Sequence, residues 1–373
     1  MAAHPPIGYA YRMSSAIHPL TRLAGLAAAF ALGCGVFILV SRGAPAGAQL
    51  TYRLGSGDAA ALALYDPQYH LQHTLVAQPS DVYYPSWSAD GARLAFVQSM
   101  MPAAETDTVE HLELSQNRPQ RLFPPEAMMI QIQAPPIWSP DAASVIFSAG
   151  EVAAARRRTH SLVWVGLGED APRVLPVDGL STRMTAFRPL DDQTLRLVAV
   201  REGDVWLADL RRSDFVILRE QVWAMGFVDA WRPVFSPDAS SFVIPAVRPD
   251  APTFDLYRFD IGREGFIKIS DLRTSNETQP AWSPDGAHIA YKLLGDGPQF
   301  VILASSDGAQ SRAVYRHPTA RINELHWSPE GDRLVFLASL PGLHELCILE
   351  LASETTSCPI IADRLDEVAW RPR

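Results

Sequence analysis

The chain has 373 residues, 47% of them hydrophobic and 20% charged, which excludes a disordered tail and a polytopic membrane protein. Lys and Arg number 32 against 41 Asp and Glu, a formal charge of -9, and this balance argues against a nucleic-acid partner, whose phosphates need a contiguous basic surface. Thirty prolines, 23 glycines and nine tryptophans point to many turns and many aromatic packing sites.

Residues 1–22 form a short N-terminal segment that carries Arg12, His18 and Arg22 and no acid, a bias that keeps this end cytoplasmic. A charge-free apolar run follows over residues 23–40. As a helix it would be about 27 Å long, close to the ~30 Å hydrocarbon core of a bilayer. A transmembrane or signal helix is therefore expected over 23–41, with a linker over 42–50. Ala46-Gly47-Ala48 supplies the small-x-small sequence that a signal peptidase cuts. Two outcomes stand. The protein is anchored in the membrane through residues 23–40 with its remainder extracytoplasmic, or it is secreted or periplasmic after cleavage near Ala48.

Beyond the linker, 51–54, 61–65 and 74–77 read as three short strands. A motif of the form apolar–x–aromatic–(Ser/Arg)–(Pro/Ala) then recurs seven times, as in Pro85-Ser86-Trp87-Ser88-Ala89-Asp90-Gly91 and Pro280-Ala281-Trp282-Ser283-Pro284-Asp285-Gly286. Its aromatics are Trp87, Trp138, Phe187, Phe235, Trp282, Trp327 and Trp370, separated by 51, 49, 48, 47, 45 and 43 residues. Each interval holds four short strands with their turns, the size of one propeller blade. In the unit around Trp282, residues 280–282 read as the innermost strand and Ser-Pro-Asp-Gly as a tight turn. Proline presets φ there and glycine accepts positive φ. Strands over 288–291, 299–303 and 313–315 complete the unit. The final unit has only its innermost strand, and residues 51–77 supply the complementary three. A seventh blade of 51–77 plus 366–371 therefore closes the ring, which removes the exposed sheet edges of an open array. The expected fold is all-β, a seven-bladed β-propeller of four-stranded antiparallel blades over 51–373, with an N-terminal transmembrane or signal helix.

The Trp-Ser-Pro-Asp-Gly units at Trp87, Trp138, Phe235, Trp282 and Trp327 resemble the WD40-like (PD40) repeats of the propeller family typified by periplasmic TolB. The pattern is degenerate at Phe187, where Leu190-Asp191-Asp192 follows, and at Trp370. The resemblance spans nearly all of 51–373 and implies a fold more than a function, because such propellers serve as scaffolds, peptidase gates and occasional lyases. TolB-type proteins carry an α/β domain before a six-bladed propeller, and the expectation here is seven blades without that domain.

The seven aromatics are read as structural anchors that fill the wedges between blades, and the motif aspartates as turn formers. No Gly-x-Ser-x-Gly elbow, His-Glu-x-x-His helix or phosphate-gripping loop is present. No catalytic, cofactor-binding or metal residue is assigned, and no cofactor is expected. Cys347 and Cys358 face each other if a hairpin turns near 351–354. They either bridge in an oxidising compartment or remain two buried thiols.

In a propeller whose blade strands are lettered A to D from the channel outward, the D–A and B–C connections share one face, and the irregular segments fall there. One carries Trp223, Met225 and Phe227, with Trp231 just beyond. Another carries Met128 and Met129, and a third Arg156, Arg157 and Arg158. Aromatics, methionine and arginine are the composition of a protein-binding hot region. These residues are therefore the candidate site for a protein or an extended extracytoplasmic ligand. The expected function is a non-catalytic binding scaffold at the membrane surface. The alternative is a carbohydrate- or peptide-processing enzyme with its site on the propeller face or channel, recognisable by clustered His, Asp or Glu around that channel.

Overall fold

The computed structural model describes residues 49–372 except 56–59, 78–80, 100–106, 117, 124–129, 133, 152–159, 169–171, 177–184, 252, 270–275 and 295–296. Among these residues there are thirty strands, arranged in seven antiparallel sheets, and no helix. The first full blade runs from β4 (Asp81–Trp87), innermost, through β5 (Arg93–Ser99) and β6 (Asp107–Glu113) to β7 (Arg118–Phe123). The same order recurs in the blades that start at β13 (Thr185–Pro189), β22 (Asn276–Trp282) and β26 (Arg321–Trp327).

In two further blades the innermost strand is split. One is made of β8 (Ile130–Ile132) and β9 (Ile137–Trp138), the other of β17 (Asp229–Ala230) and β18 (Val234–Phe235). Pro135 and Pro136 separate the first pair and Pro233 the second. Proline has no N–H to give the ladder, so pairing lapses there and resumes on either side.

The blades pack face to face, and this sets the burial pattern. Leu94, Ala95, Phe96 and Val97 of β5 are all fully buried, because a middle strand is covered on both faces. The outermost strand of the β26 blade, β29 (Thr355–Ala362), alternates between exposed and half-buried positions. Each apolar cluster draws on two neighbouring sheets. Val97 and Val109 pack with Trp138, Val145 and Phe147, and Leu62 and Leu64 pack with Trp87, Leu94 and Phe96. The core is therefore a ring of wedges between blades.

One blade joins the two ends of the described chain. β30 (Leu365–Trp370) pairs antiparallel with β1 (Leu50–Leu54), in the register Leu50 to Trp370 and Leu54 to Leu365, and β2 (Ala61–Asp66) and β3 (Leu71–Ala77) lie outside β1. Arg53, its side chain 5% exposed, donates to Asp366 of β30 at 2.8 Å and to Asp81 of β4 at 2.5 Å. The Arg371 Nε reaches the Gly91 carbonyl in the next blade at 2.8 Å. Gly91 has φ 62°, and a Cβ there would lie 2.4 Å from the Pro372 carbonyl oxygen. Only glycine fits this turn beneath the tail.

The motif residues build local structure. Ser139 Oγ donates to Asp141 Oδ1 at 2.5 Å, and that oxygen also accepts the Ala143 N–H at 3.0 Å. The arrangement repeats at Asp90, Asp238 and Asp285, and these hydrogen bonds hold all four carboxyls below the usual range, Asp238 at about 2. Six anchors are buried, and Phe235 is half-buried. The indole N–H of Trp138, Trp282 and Trp327 donates to the carbonyl of Ser86, Val234 and Ala281 respectively, at 2.9 to 3.1 Å. Each acceptor is the residue just before the anchor of the preceding blade. Trp87 donates to Thr51 Oγ1 instead, and the buried Trp370 indole N–H has no partner among the described residues. Cys347 in β28 (Leu343–Glu350) is disulfide-bonded to Cys358 in β29, with the Cα atoms 4.0 Å apart.

The expectation of an N-terminal helix is corrected. No helix of the described residues is long and apolar enough to cross a membrane, and the described chain is all-β. The segment 23–41 lies outside the described residues, so the transmembrane or signal helix, the membrane contact through 23–40 and the membrane-anchored localisation are withdrawn. The physical reason is that length and hydropathy say only that a run avoids water, a property shared by spanning, cleaved and buried segments.

Candidate functional site: the central channel

Four of the residues expected to bind, Trp223, Met225, Phe227 and Trp231, are among those described. Trp223 is buried at the end of β16 (Ile217–Trp223), packed edge-on against Phe242 and Phe259 with its indole donating to the Arg263 carbonyl at 3.1 Å. Phe227 is also in the core, against Tyr257. Met225 is half-buried, and its N–H is held by Asp204 Oδ1 at 2.8 Å. Trp231 alone of this group keeps a large exposed surface, 39%, and it lies edge-on to Phe254. Met128, Met129, Arg156, Arg157 and Arg158 lie outside the described residues.

A different set of residues converges on the channel. In four innermost strands the residue three before the anchor has positive φ: Tyr84 at 57°, Gln279 at 52°, Glu324 at 53° and Glu367 at 61°. A β-bulge explains each. Tyr84 and Pro85 oppose Phe96, Gln279 and Pro280 oppose Tyr291, Glu324 and Leu325 oppose Phe336, and Glu367 and Val368 oppose Tyr52. A bulge re-aims side chains, and a left-handed non-glycine residue costs about 1–2 kcal/mol. Four such residues at one structural position need compensation, and inter-blade hydrogen bonds supply it at Tyr84, Glu324 and Glu367. The Glu324 N–H donates to Gln279 Oε1 at 3.3 Å. The N–H groups of Glu367 and Val368 donate to the two Glu324 carboxyl oxygens at 2.7 Å each, and the Tyr84 N–H donates to Glu367 Oε2. The side chains of Gln279, Glu324 and Glu367 thus each hold the bulge of the next blade.

These four residues, with Arg232 and His326, line a cavity of about 380 Å³. Its remaining wall is apolar and includes Pro85, Pro280, Leu325 and Val368, with Trp231 also on it. A second cavity of about 510 Å³ is lined by the anchors Trp87, Trp138, Phe187 and Phe235, and Arg232 and Val234 belong to both walls.

Enclosure shapes the chemistry of this wall. Burial pushes the Glu367 carboxyl up to about 8, against the opposing pull of the Tyr84 N–H, so it is mostly neutral at pH 7. Glu324 is raised for the same reason. Burial, and then the neighbouring Glu367 charge, raise Tyr84 and keep its hydroxyl protonated. His326 has open surface, but that surface faces the cavity between blades. Burial pushes its imidazole down to about 4, leaving it neutral. Burial also works against the charge on Arg232, whose Nε donates to the Thr185 carbonyl at 3.2 Å. Elsewhere among the described residues, Glu345 lies with Cys347 and Cys358 in metal-ligand proximity, but the two sulfurs are bonded to each other.

Sequence reading passed over Tyr84, Arg232, Gln279, Glu324 and Glu367. A signal was present: with the repeats aligned on the anchor aromatic, the position three residues earlier reads Tyr, Pro, Met, Arg, Gln, Glu, Glu. A polar column inside an apolar motif marks a position that faces something other than the core.

No family model matches the chain. No curated protein matches it either. Solved structures do. TolB from Acinetobacter baumannii is 17% identical over 89% of this chain and 89% of that one, with a TM-score of 0.52. The β-propeller domain of the Trilobed protease from Pyrococcus furiosus, described as having an open velcro topology, is 11% identical over 84% of this chain and 95% of that one, with a TM-score of 0.62. An oligogalacturonate lyase in complex with manganese is 16% identical over 83% of this chain and 84% of that one, with a TM-score of 0.53. At these identities the likeness is one of fold, shared by a TolB and by enzyme-associated propellers alike. The chain is a seven-bladed β-propeller that resembles the TolB-type propellers.

Proposed function

We propose that this propeller is a non-catalytic binding module that receives an extended polypeptide segment at the mouth of its central channel. The observation that carries this reading is the 380 Å³ cavity, with its apolar wall and its few polar groups held on bulges. Such a wall suits a partially desolvated ligand oriented by a small number of hydrogen bonds. An acid–base enzyme is less well supported. Both Glu324 oxygens are occupied by backbone N–H groups, Glu367 serves Tyr84, and no hydrogen bond among the described residues joins His326 to a carboxylate. The Cys347–Cys358 disulfide supports a periplasmic or secreted location, because thiols stay reduced in the cytosol.

Site-directed photocrosslinking tests the reading. A benzophenone amino acid replaces Trp231 at the cavity wall in one variant. In another it replaces Val222, 56% exposed on an outermost strand. Adducts formed from position 231 and not from 222 are expected. Adducts from 222 alone, or none from either, would sink the channel as the binding site.

A further inference from the structure

The polar groups on the cavity wall are not equally available to a ligand. Glu324 commits both oxygens, Glu367 commits Oε2 and Gln279 commits Oε1 to backbone N–H groups of neighbouring blades. What remains on this wall is rich in donors: the Gln279 amide NH₂, the Tyr84 hydroxyl and the Arg232 guanidinium. Arg232 donates once, from Nε, and makes no other hydrogen bond and no ion pair among the described residues. Its leading electrostatic neighbour is Tyr84 rather than a carboxylate. A guanidinium withdrawn from bulk water without a counter-ion favours any anion that can reach it, and its planar fork matches a carboxylate through two parallel bonds.

We propose that the channel recognises its polypeptide ligand through a carboxylate, an acidic side chain or a free C-terminus, seated on Arg232 with Gln279 and Tyr84 as further donors. This rests on the binding role proposed above and names the chemistry of its ligand. The apolar wall of Pro85, Pro280, Leu325 and Val368 suits aliphatic neighbours of the carboxylate. A chain of sugar rings fits less well, because its hydroxyls need acceptors as well as donors, and most acceptors here are occupied. Glu367, mostly neutral at pH 7, does not repel an incoming anion. The Glu324 carboxylate is held by two N–H groups that offset its charge.

The test uses the full chain and fluorescent N-acetyl hexapeptide pools randomised in neutral residues. One pool has a fixed internal Glu and an amidated C-terminus, a second has Gln in place of that Glu, and a third is neutral with a free C-terminus. Trigalacturonate is the non-peptide probe. The Glu pool or the free C-terminus pool should bind at least tenfold more tightly than the Gln pool. Arg232→Gln should erase that preference, lowering binding of the preferred pool to the level of the Gln pool. If Arg232→Gln does not fold, Arg232→Lys keeps the charge, loses the fork and should weaken the preferred pool several-fold. Equal binding of acidic and neutral pools overturns the carboxylate while leaving the channel as a peptide site. A preference that survives in Arg232→Gln, or that is undiminished in Arg232→Lys where that variant replaces it, overturns the role of Arg232. Tighter binding of trigalacturonate than of every peptide pool overturns the polypeptide class. No binding by any pool overturns both the inference and the reading beneath it.

Discussion

Glu367 shows how one residue links the ring to its solvent conditions. Its carboxyl is held up to about 8, against an ordinary value of 4.5. The folded state therefore holds this proton more firmly than the unfolded chain does. The stability it contributes is full below about pH 4.5 and is lost as pH rises through about 8. The groups that act on it are Tyr84, Asp366, Arg53 and Glu324, and Glu324 is shifted in the same direction. Glu367→Gln keeps an acceptor for the Tyr84 N–H and removes the titration. Melting temperatures between about pH 6 and pH 9 should fall for the wild type and stay flatter for the variant, and parallel slopes would refute this account. None of this was legible from Glu367 as a letter in the sequence. The polar column to which Glu367 belongs marks its position as unlike the core, but nothing in the sequence says that its carboxyl serves the next blade.

At the scale of the strand, the anchors divide into those with a partner and one without. Trp327 gives its indole N–H to the Ala281 carbonyl, whereas the buried Trp370 N–H is unpaired among the described residues. Replacing each with Phe loses a similar amount of ring, so the difference isolates the hydrogen bond. Trp327→Phe should cost about 1 kcal/mol more than Trp370→Phe in urea denaturation, and equal costs would deny the inter-blade bond any weight. Strands and turns were readable in advance because their causes are local: apolar alternation, Pro and Gly at set turn positions, and a Ser and Asp that cap them. Trp223 and Phe227 were not readable as core. An aromatic in an irregular segment has the same composition whether it packs inward beneath Arg263 or faces a partner, and only the neighbouring sheet decides.

For the whole molecule the decisive contact is between β1 and β30, which lie at opposite ends of the described chain yet share a sheet. Removing 365–373 deletes the innermost strand of that blade, the Asp366 arm of the Arg53 ion pairs and the Arg371 contact to Gly91. The shortened protein should lose more than about 10 °C in melting temperature and its single cooperative transition, measured by calorimetry, and a sharp transition near the wild-type temperature would show that the ring does not depend on this closure. Blade number, strand order and turn chemistry were determined by the sequence alone, because each blade repeats the same short-range pattern at a near-constant interval. The cavity, its donor-rich wall and the lack of an ion-pair partner for Arg232 among the described residues were decided only by tertiary structure. Tyr84, Arg232, Gln279, Glu324 and Glu367 come from five blades, and no local rule states which of their atoms the fold occupies and which it leaves for a ligand.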